Sequence, residues 1–264
     1  MADADAASST EDPWDPSTYH RFRAERREPF DDLLSLVEPV PGGRVVDLGC
    51  GTGELTADLH RQSGAAETLG IDSSANMLDQ ARQYAGDGLR FEQGDLSSWS
   101  SSQPVDIVVA NASLQWVPDH PALLARLRAQ LSSNGQIAVQ VPANFDHPTH
   151  TVADRIGQTF GVDAVARFEA ILAPEAYAGL LDSLGLDEVH TRLQVYVHRL
   201  PTTASVIDWV EGTLLTQYRR QLGETLYGEF LDRYRTDLLS ALGDPDGDQP
   251  YTHLFKRILF RARM

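Results

Sequence analysis

The chain has one lysine, Lys256, one cysteine, Cys50, and no apolar run that approaches the length of a bilayer span. A single cysteine excludes an internal disulfide and agrees with a reducing compartment. The first residues, MADADAASSTEDPWDP, lack the basic and apolar segments of a secretory signal, so the expected location is the cytosol. Positive charge is scarce: 22 Lys and Arg against 38 Asp and Glu leave a formal net charge of −16 over 264 residues, a field that repels phosphate backbones and anionic membranes. Nucleic acid and membrane are therefore excluded as expected partners, and no obligate protein partner is evident. The eight histidines are scattered and no cysteine pair exists, so no metal site is expected. Cys50 lies inside a glycine turn, where it reads as a small packing residue rather than a nucleophile.

What is present is a globular composition, 42% hydrophobic and 23% charged, enough for one elaborated α/β domain. Residues 1–13 read as a polar, acidic, disordered leader. Residues 14–40 carry Trp14, Tyr19, an arginine cluster (Arg21, Arg23, Arg26, Arg27) and a helical apolar pattern through Phe30, Leu33, Leu34 and Val37. Over 44–142, strands RVVDL, ETLGID, LRFEQGD, VDIVVAN and GQIAVQVP alternate with helices of about ten residues, the pattern of a parallel sheet built from right-handed crossovers. Residues 143–250 read as mostly helical insertions holding one long strand, DEVHTRLQVYVHRL, and 253–263 as the final strand.

Such a sheet binds ligands at the carboxyl ends of its strands. VVDLGCGTGELT, Val45 to Thr56, ends the first strand in glycines 49, 51 and 53, which permit a tight turn and close backbone approach. Asp72, ending the second strand, is placed to accept both hydroxyls of a ribose. A dinucleotide turn places glycine where this chain has Glu54, and a carboxylate there repels a pyrophosphate. Asp47 instead suits a ligand bearing an ammonium or sulfonium charge. Asp95 is a candidate acceptor for an adenine amino group with the Leu96 N–H beside it, Met77 a candidate for the adenine face, and Asn111 ends the fourth strand.

VVDLGCGTG, GIDSSANML, GDLSSW and ANASLQWVPDH resemble the successive motifs of class I S-adenosylmethionine-dependent methyltransferases. More narrowly, WDPSTYHRFRAERREPFDDLL, NASLQWVPDH, IAVQVP and IDWVEGT are similar to the trans-aconitate 2-methyltransferase family, from Trp14 to the C-terminus. The resemblance implies a seven-stranded, mostly parallel Rossmann-like sheet with helices on both faces and a helical cap. It implies S-adenosylmethionine contacts from Asp47, Gly49, Gly51, Thr52, Asp72, Ser73, Asp95 and Asn111. It also implies that Gln115, Trp116 and His120 border the methyl-transfer site. Arg192, Gln194, Thr216 and Gln217 depart from the family's pattern, whereas Arg257 falls on a family arginine.

The implied reaction is methyl-ester formation on a small polycarboxylic acid such as trans-aconitate. A carboxylate is ionised at neutral pH and needs no general base, so alignment and exclusion of water carry the catalysis. Trp14 and Trp116 are candidates for the dry wall. A polyanion entering an acidic protein requires local cations, and Tyr19, Arg23, Arg26, His147 and Arg257 are the candidate substrate residues, with the N-terminal segment as a lid. Two alternatives stand beside this one: transfer to another small-molecule acceptor, and a non-catalytic S-adenosylmethionine-binding protein.

Overall fold

A computed structural model describes residues 23–162 and 170–264, with side chains from Arg27 onward. Tyr19, Trp14 and Arg21 lie outside the described residues, as do the side chains of Arg23 and Arg26.

Seven strands form one sheet in the order β3-β2-β1-β4-β5-β7-β6. They are β1 (Arg44–Leu48), β2 (Glu67–Asp72), β3 (Leu89–Gln93), β4 (Val105–Asn111), β5 (Leu131–Pro142), β6 (Asp187–Leu200) and β7 (Tyr251–Arg263). β1 to β5 pair in parallel, and β7 runs antiparallel between β5 and β6. The eight helices of the described residues are α1 (Arg23–Leu34), α2 (Glu54–Ser63), α3 (Ala75–Ala81), α4 (His120–Arg128), α5 (Pro148–Thr159), α6 (Pro174–Ser183), α7 (Ser205–Glu211) and α8 (Thr216–Ala241). None of these helices is long and apolar enough to cross a membrane.

The strand signals are apolar runs buried on both faces, as expected where crossover helices cover a parallel sheet: Val105, Ile107, Val108, Val109 and Ala110 are all at 0% exposure. Three apolar clusters follow. One packs α4 and α6 on one face of the sheet through Leu124, Leu127, Tyr177 and Phe260. The opposite face is covered by α1, whose Phe30, Leu33 and Leu34 pack on Val45, Ile107, Val109, Ala138 and Leu259. This corrects the expectation of a lid over this stretch: Phe30 and Leu33, both 0% exposed, are core, so α1 cannot lift without opening the sheet's own face.

The third cluster belongs to the segment after β5, where α5, α7 and α8 bury their own aromatic stack of Tyr218, Phe230 and Tyr234. Tyr218 donates to Asp154 Oδ1 at 2.6 Å and Tyr234 to the Thr149 carbonyl at 3.1 Å, tying α8 to α5. α8 is kinked at Gly223, whose φ of 68° and ψ of 166° are not helical.

Candidate active site

The turn after β1 is shaped by contacts on both sides. Gly49 has φ +86°, and a Cβ there would lie 2.2 Å from the Cβ of Ser113, so this glycine is required by protein packing. Ser113 in turn donates to the Leu48 carbonyl. Gly51 differs: its φ is +54°, nothing lies within 4 Å of where its Cβ would be, and its N–H donates to Asp72 Oδ2 at 2.9 Å. The other oxygen, Asp72 Oδ1, accepts from the Ser74 N–H at 2.9 Å. Two backbone amides thus aim a half-buried carboxylate beside an open glycine, a cradle that suits the paired hydroxyls of a ribose.

Around the cradle, Ser74 caps α3 by accepting from the Met77 N–H at 3.1 Å, which seats Met77 in the core at 4% exposure; Ser73 stays exposed and Thr52 half-buried. Asp95 is exposed, and its carboxylate, held by the hydroxyl and N–H of Ser97, titrates below its ordinary range. Leu96 is half-buried and its carbonyl accepts from Arg126 at 3.2 Å.

Asp47 is 3% exposed beneath the turn. Burial, opposed by the Thr56 hydroxyl at 2.6 Å and aided by the Asp72 charge, raises its pKa to about 6. Burial likewise pushes the Cys50 thiol far up, consistent with packing and not nucleophilic attack.

The expected dinucleotide mismatch at Glu54 has a visible use. Arg27 reaches Glu54 at 3.8 Å, Asp58 at 2.5 Å and Asp31 at 3.3 Å, so this member of the arginine cluster fastens α1 to α2.

β4 ends in Asn111, and the chain then breaks into the turn Leu114–Trp116 through Ala112, a non-glycine at φ +52°. Alternation places Asn111 and its β5 neighbour Gln140 on the face that α1 covers further down. Asn111 Oδ1 and Gln140 Oε1 are buried acceptors without a hydrogen-bond partner among the described residues. Gln115 turns inward, its Nε2 donating to the Ala112 carbonyl at 2.6 Å, while Trp116 is 38% exposed.

His120 is a correction. It is 1% exposed at the start of α4, and its Nε2 meets the Leu114 carbonyl at 2.9 Å. A carbonyl only accepts, so Nε2 carries the proton and Nδ1 accepts from the Tyr177 hydroxyl at 2.5 Å. Burial lowers its pKa, and both nitrogens are used in holding the NASLQW turn to α6, which leaves none for an acceptor.

His147 is a second correction. β5 ends at Pro142, and Asn144 then accepts from the Lys256 N–H at 2.5 Å and donates to the Leu254 carbonyl at 2.9 Å, locking the turn on β7. His147 caps α5 by accepting from the Thr149 N–H at 3.2 Å on Nδ1, and Nε2 meets the Tyr251 hydroxyl at 3.0 Å. Both of its ring nitrogens have partners within the protein, so it offers none directly to a substrate.

Arg257 lies opposite Pro142 and Gln194, its guanidinium 3.8 Å from the centre of the Phe255 ring. Sequence reasoning missed His198 and His253, partners across β6 and β7 that both pack on Trp209, at 5.1 and 5.3 Å. His253 is 2% exposed. Burial, then His147, His198, Arg257 and His150, hold its pKa down to about 3. Arg192, which departs from the family pattern, pairs with Asp32 of α1 at 3.4 Å, and Asp32 also accepts from the Tyr196 hydroxyl at 2.8 Å.

A methyltransferase-domain family profile matches residues 45–135. Trans-aconitate 2-methyltransferase of Deinococcus radiodurans is 42% identical over 257 residues, 94% of this chain and 97% of that protein. The chain belongs to the trans-aconitate 2-methyltransferase family. Relatives of the same name from Klebsiella pneumoniae and Streptomyces coelicolor are 40% and 37% identical, covering 84% and 95% of this chain and 86% of each relative. Solved structures share the fold. YcgJ from Bacillus subtilis superposes with a TM-score of 0.60 at 14% identity over 90% of this chain and 98% of its own. An S-adenosylmethionine-dependent enzyme from Thiobacillus denitrificans gives 0.55 at 18% identity, over 97% and 94%. The protein is a class I methyltransferase enzyme that uses S-adenosylmethionine. The cradle of Gly51 and Asp72 fits that cofactor, and the unpartnered Asn111 Oδ1 fits a donor such as its ammonium.

Proposed function

We propose that the enzyme methylates a carboxylate of a small polycarboxylic acid, trans-aconitate in the first instance, giving the methyl ester. The observation that carries this reading is Arg257, a guanidinium at the carboxyl end of the sheet, backed by an aromatic ring and opposite the end of β5. A planar fork of N–H donors matches a carboxylate in two parallel bonds. The names of relatives covering most of the chain agree.

S-adenosylmethionine supplies a methyl group on a sulfonium. The chain's residues bind and orient. Asp72 takes the ribose hydroxyls, with Ser73 and Thr52 at the rim; Asp95 and the Leu96 N–H take the adenine edge, with Met77 packed beneath. Asn111 and Asp47 face the positive end. Gln115 and Trp116 border the acceptor, and Arg257 aligns the carboxylate, which is ionised at neutral pH and needs no base. The sequestered His120 agrees with a reaction that requires none. Arg192, a departure from the family pattern, is engaged with Asp32 of α1.

Incubation with methyl-labelled S-adenosylmethionine and a panel of di- and tricarboxylic acids tests the reading. A base-labile labelled product is expected, with trans-aconitate among the best acceptors. Methylation of an amine or phenol and of no acid overturns it. In the same assay Arg257→Ala raises KM for the acid about tenfold while KM for the cofactor stays within about twofold. Asp72→Ala does the reverse, weakening cofactor binding by calorimetry about 10- to 100-fold.

A further inference from the structure

Four histidines separated in sequence by up to about a hundred residues meet at the acceptor end of the sheet. Strand register sets His198 against His253, and alternation puts His253, Phe255 and Arg257 on one face of β7. From α5, His147 packs edge-on against His253 with ring centres 5.1 Å apart, and His150 packs on Phe145 at 5.7 Å. Trp209 of α7 closes the other side against both strand histidines, at 4% exposure.

Among the described residues no group of His, Cys, Asp or Glu is arranged for a metal. His253 Nδ1 is buried without a hydrogen-bond partner among those residues, in a side chain only 2% exposed. A buried ring nitrogen left unpaired is costly, and such groups mark sites completed by a ligand. The groups facing His253 are His147 and His150 from α5, His198 from β6, and Tyr251 and Arg257 from β7. The carboxylate acting on His147, Asp146, is engaged by Lys256 Nζ at 2.6 Å.

We infer that His253 and His198, next to the Arg257 that aligns the reacting carboxylate, hold a second, non-reacting carboxylate of the acceptor, and that the histidine cluster draws a proton from solvent as that carboxylate enters. His147 acts through His253 as a positioning residue. This rests on the carboxylate-acceptor reading above and adds the reason for selecting polyacids. Burial and mutual repulsion keep the cluster short of its full charge in the free enzyme, and an arriving anion opposes the repulsion. Because the bound-state pKa is raised, acid binding is strongest at low pH and weakens as pH rises through that value, with the substrate carboxylates ionised throughout.

Calorimetry of trans-aconitate binding to the full chain with S-adenosylhomocysteine, in two buffers of different ionisation enthalpy at pH 7, reads the proton directly. Net uptake is expected. KM for trans-aconitate should rise between pH 6 and 9, whereas a monocarboxylic analogue, lacking the second group, should show a flatter profile. His253→Phe should raise KM for the diacid or triacid about tenfold with kcat nearly unchanged, abolish proton uptake, and leave the monoacid and cofactor constants within about twofold. Binding and methylation of the polyacid without proton uptake overturns this inference alone, and that measurement on the unaltered enzyme stands even if the variant does not fold. If no carboxylic acid binds, the carboxylate reading falls with it.

Discussion

The two halves of the sheet solve opposite electrostatic problems. On the parallel side, β1, β2 and β4 end in acids and amides: Asp72 pinned by two backbone N–H groups, Asp47 buried under the turn, Asn111 with an unpaired oxygen. On the antiparallel side, beyond β5, the same face carries Arg257, His253 and His198. The proposed cofactor and acceptor sites thus have separate linings of opposite character in one molecule that is acidic overall. Local placement, and not net charge, decides what each half attracts.

Within the parallel half, the turns that follow β1 and β4 meet where Gly49 packs on Ser113. Gly49→Ala sets a Cβ 2.2 Å from that of Ser113 in a left-handed backbone, so a loss of about 3 kcal/mol or more is expected, read by denaturant unfolding. Adding Ser113→Gly should recover part of it; no recovery would mean that the loss does not come from the contact between these two turns.

A smaller effect isolates the acidic lining. Asp47 has a folded pKa of about 6, above its ordinary carboxylate value, so its contribution is favourable below the unfolded pKa and is lost as pH rises to 6. Asp47→Asn should therefore stabilise the free enzyme at pH 8 by about 2 kcal/mol, seen as a higher Tm, with the gain fading toward pH 4 and cofactor affinity falling. A gain independent of pH would show that the buried charge is not what the acidic side tolerates for function.

Ala112 holds φ +52° between β4 and the NASLQW turn. Ala112→Gly relieves that conformation and should stabilise by about 1 kcal/mol, less the entropy glycine adds to the unfolded chain. Arg192→Ala breaks an ion pair whose side chains are 33% and 38% exposed, worth under about 1 kcal/mol, and should leave KM for the acid unchanged. A large rise in that KM would move Arg192 into the acceptor site.

The elements of the parallel half were legible in the sequence because their signals are local. A strand, a glycine turn and an acid at the next strand end lie within 28 residues, Val45 to Asp72, and β1, β2 and β4 match their apolar runs. The antiparallel half was legible as elements, but the proposed acceptor site was not. DEVHTRLQVYVHRL forms β6 over its whole length, yet nothing in it says that His198 will face His253, since register and the packing of Trp209 arise only in the assembled sheet. His120 and His147 misled for a related reason: a histidine beside a motif reads the same whether its ring points to a ligand or caps a helix.

Lys256 lends the molecule a practical property. As the one lysine, held by Asp146 on the strand next to Arg257, it is the one side-chain amine for acylating reagents, and Cys50 is buried away from thiol reagents. An environment-sensitive dye introduced by amine chemistry, with the α-amino group blocked, would report from the acceptor end of an otherwise unaltered chain. Occupancy there could then be followed by fluorescence without engineering an attachment site.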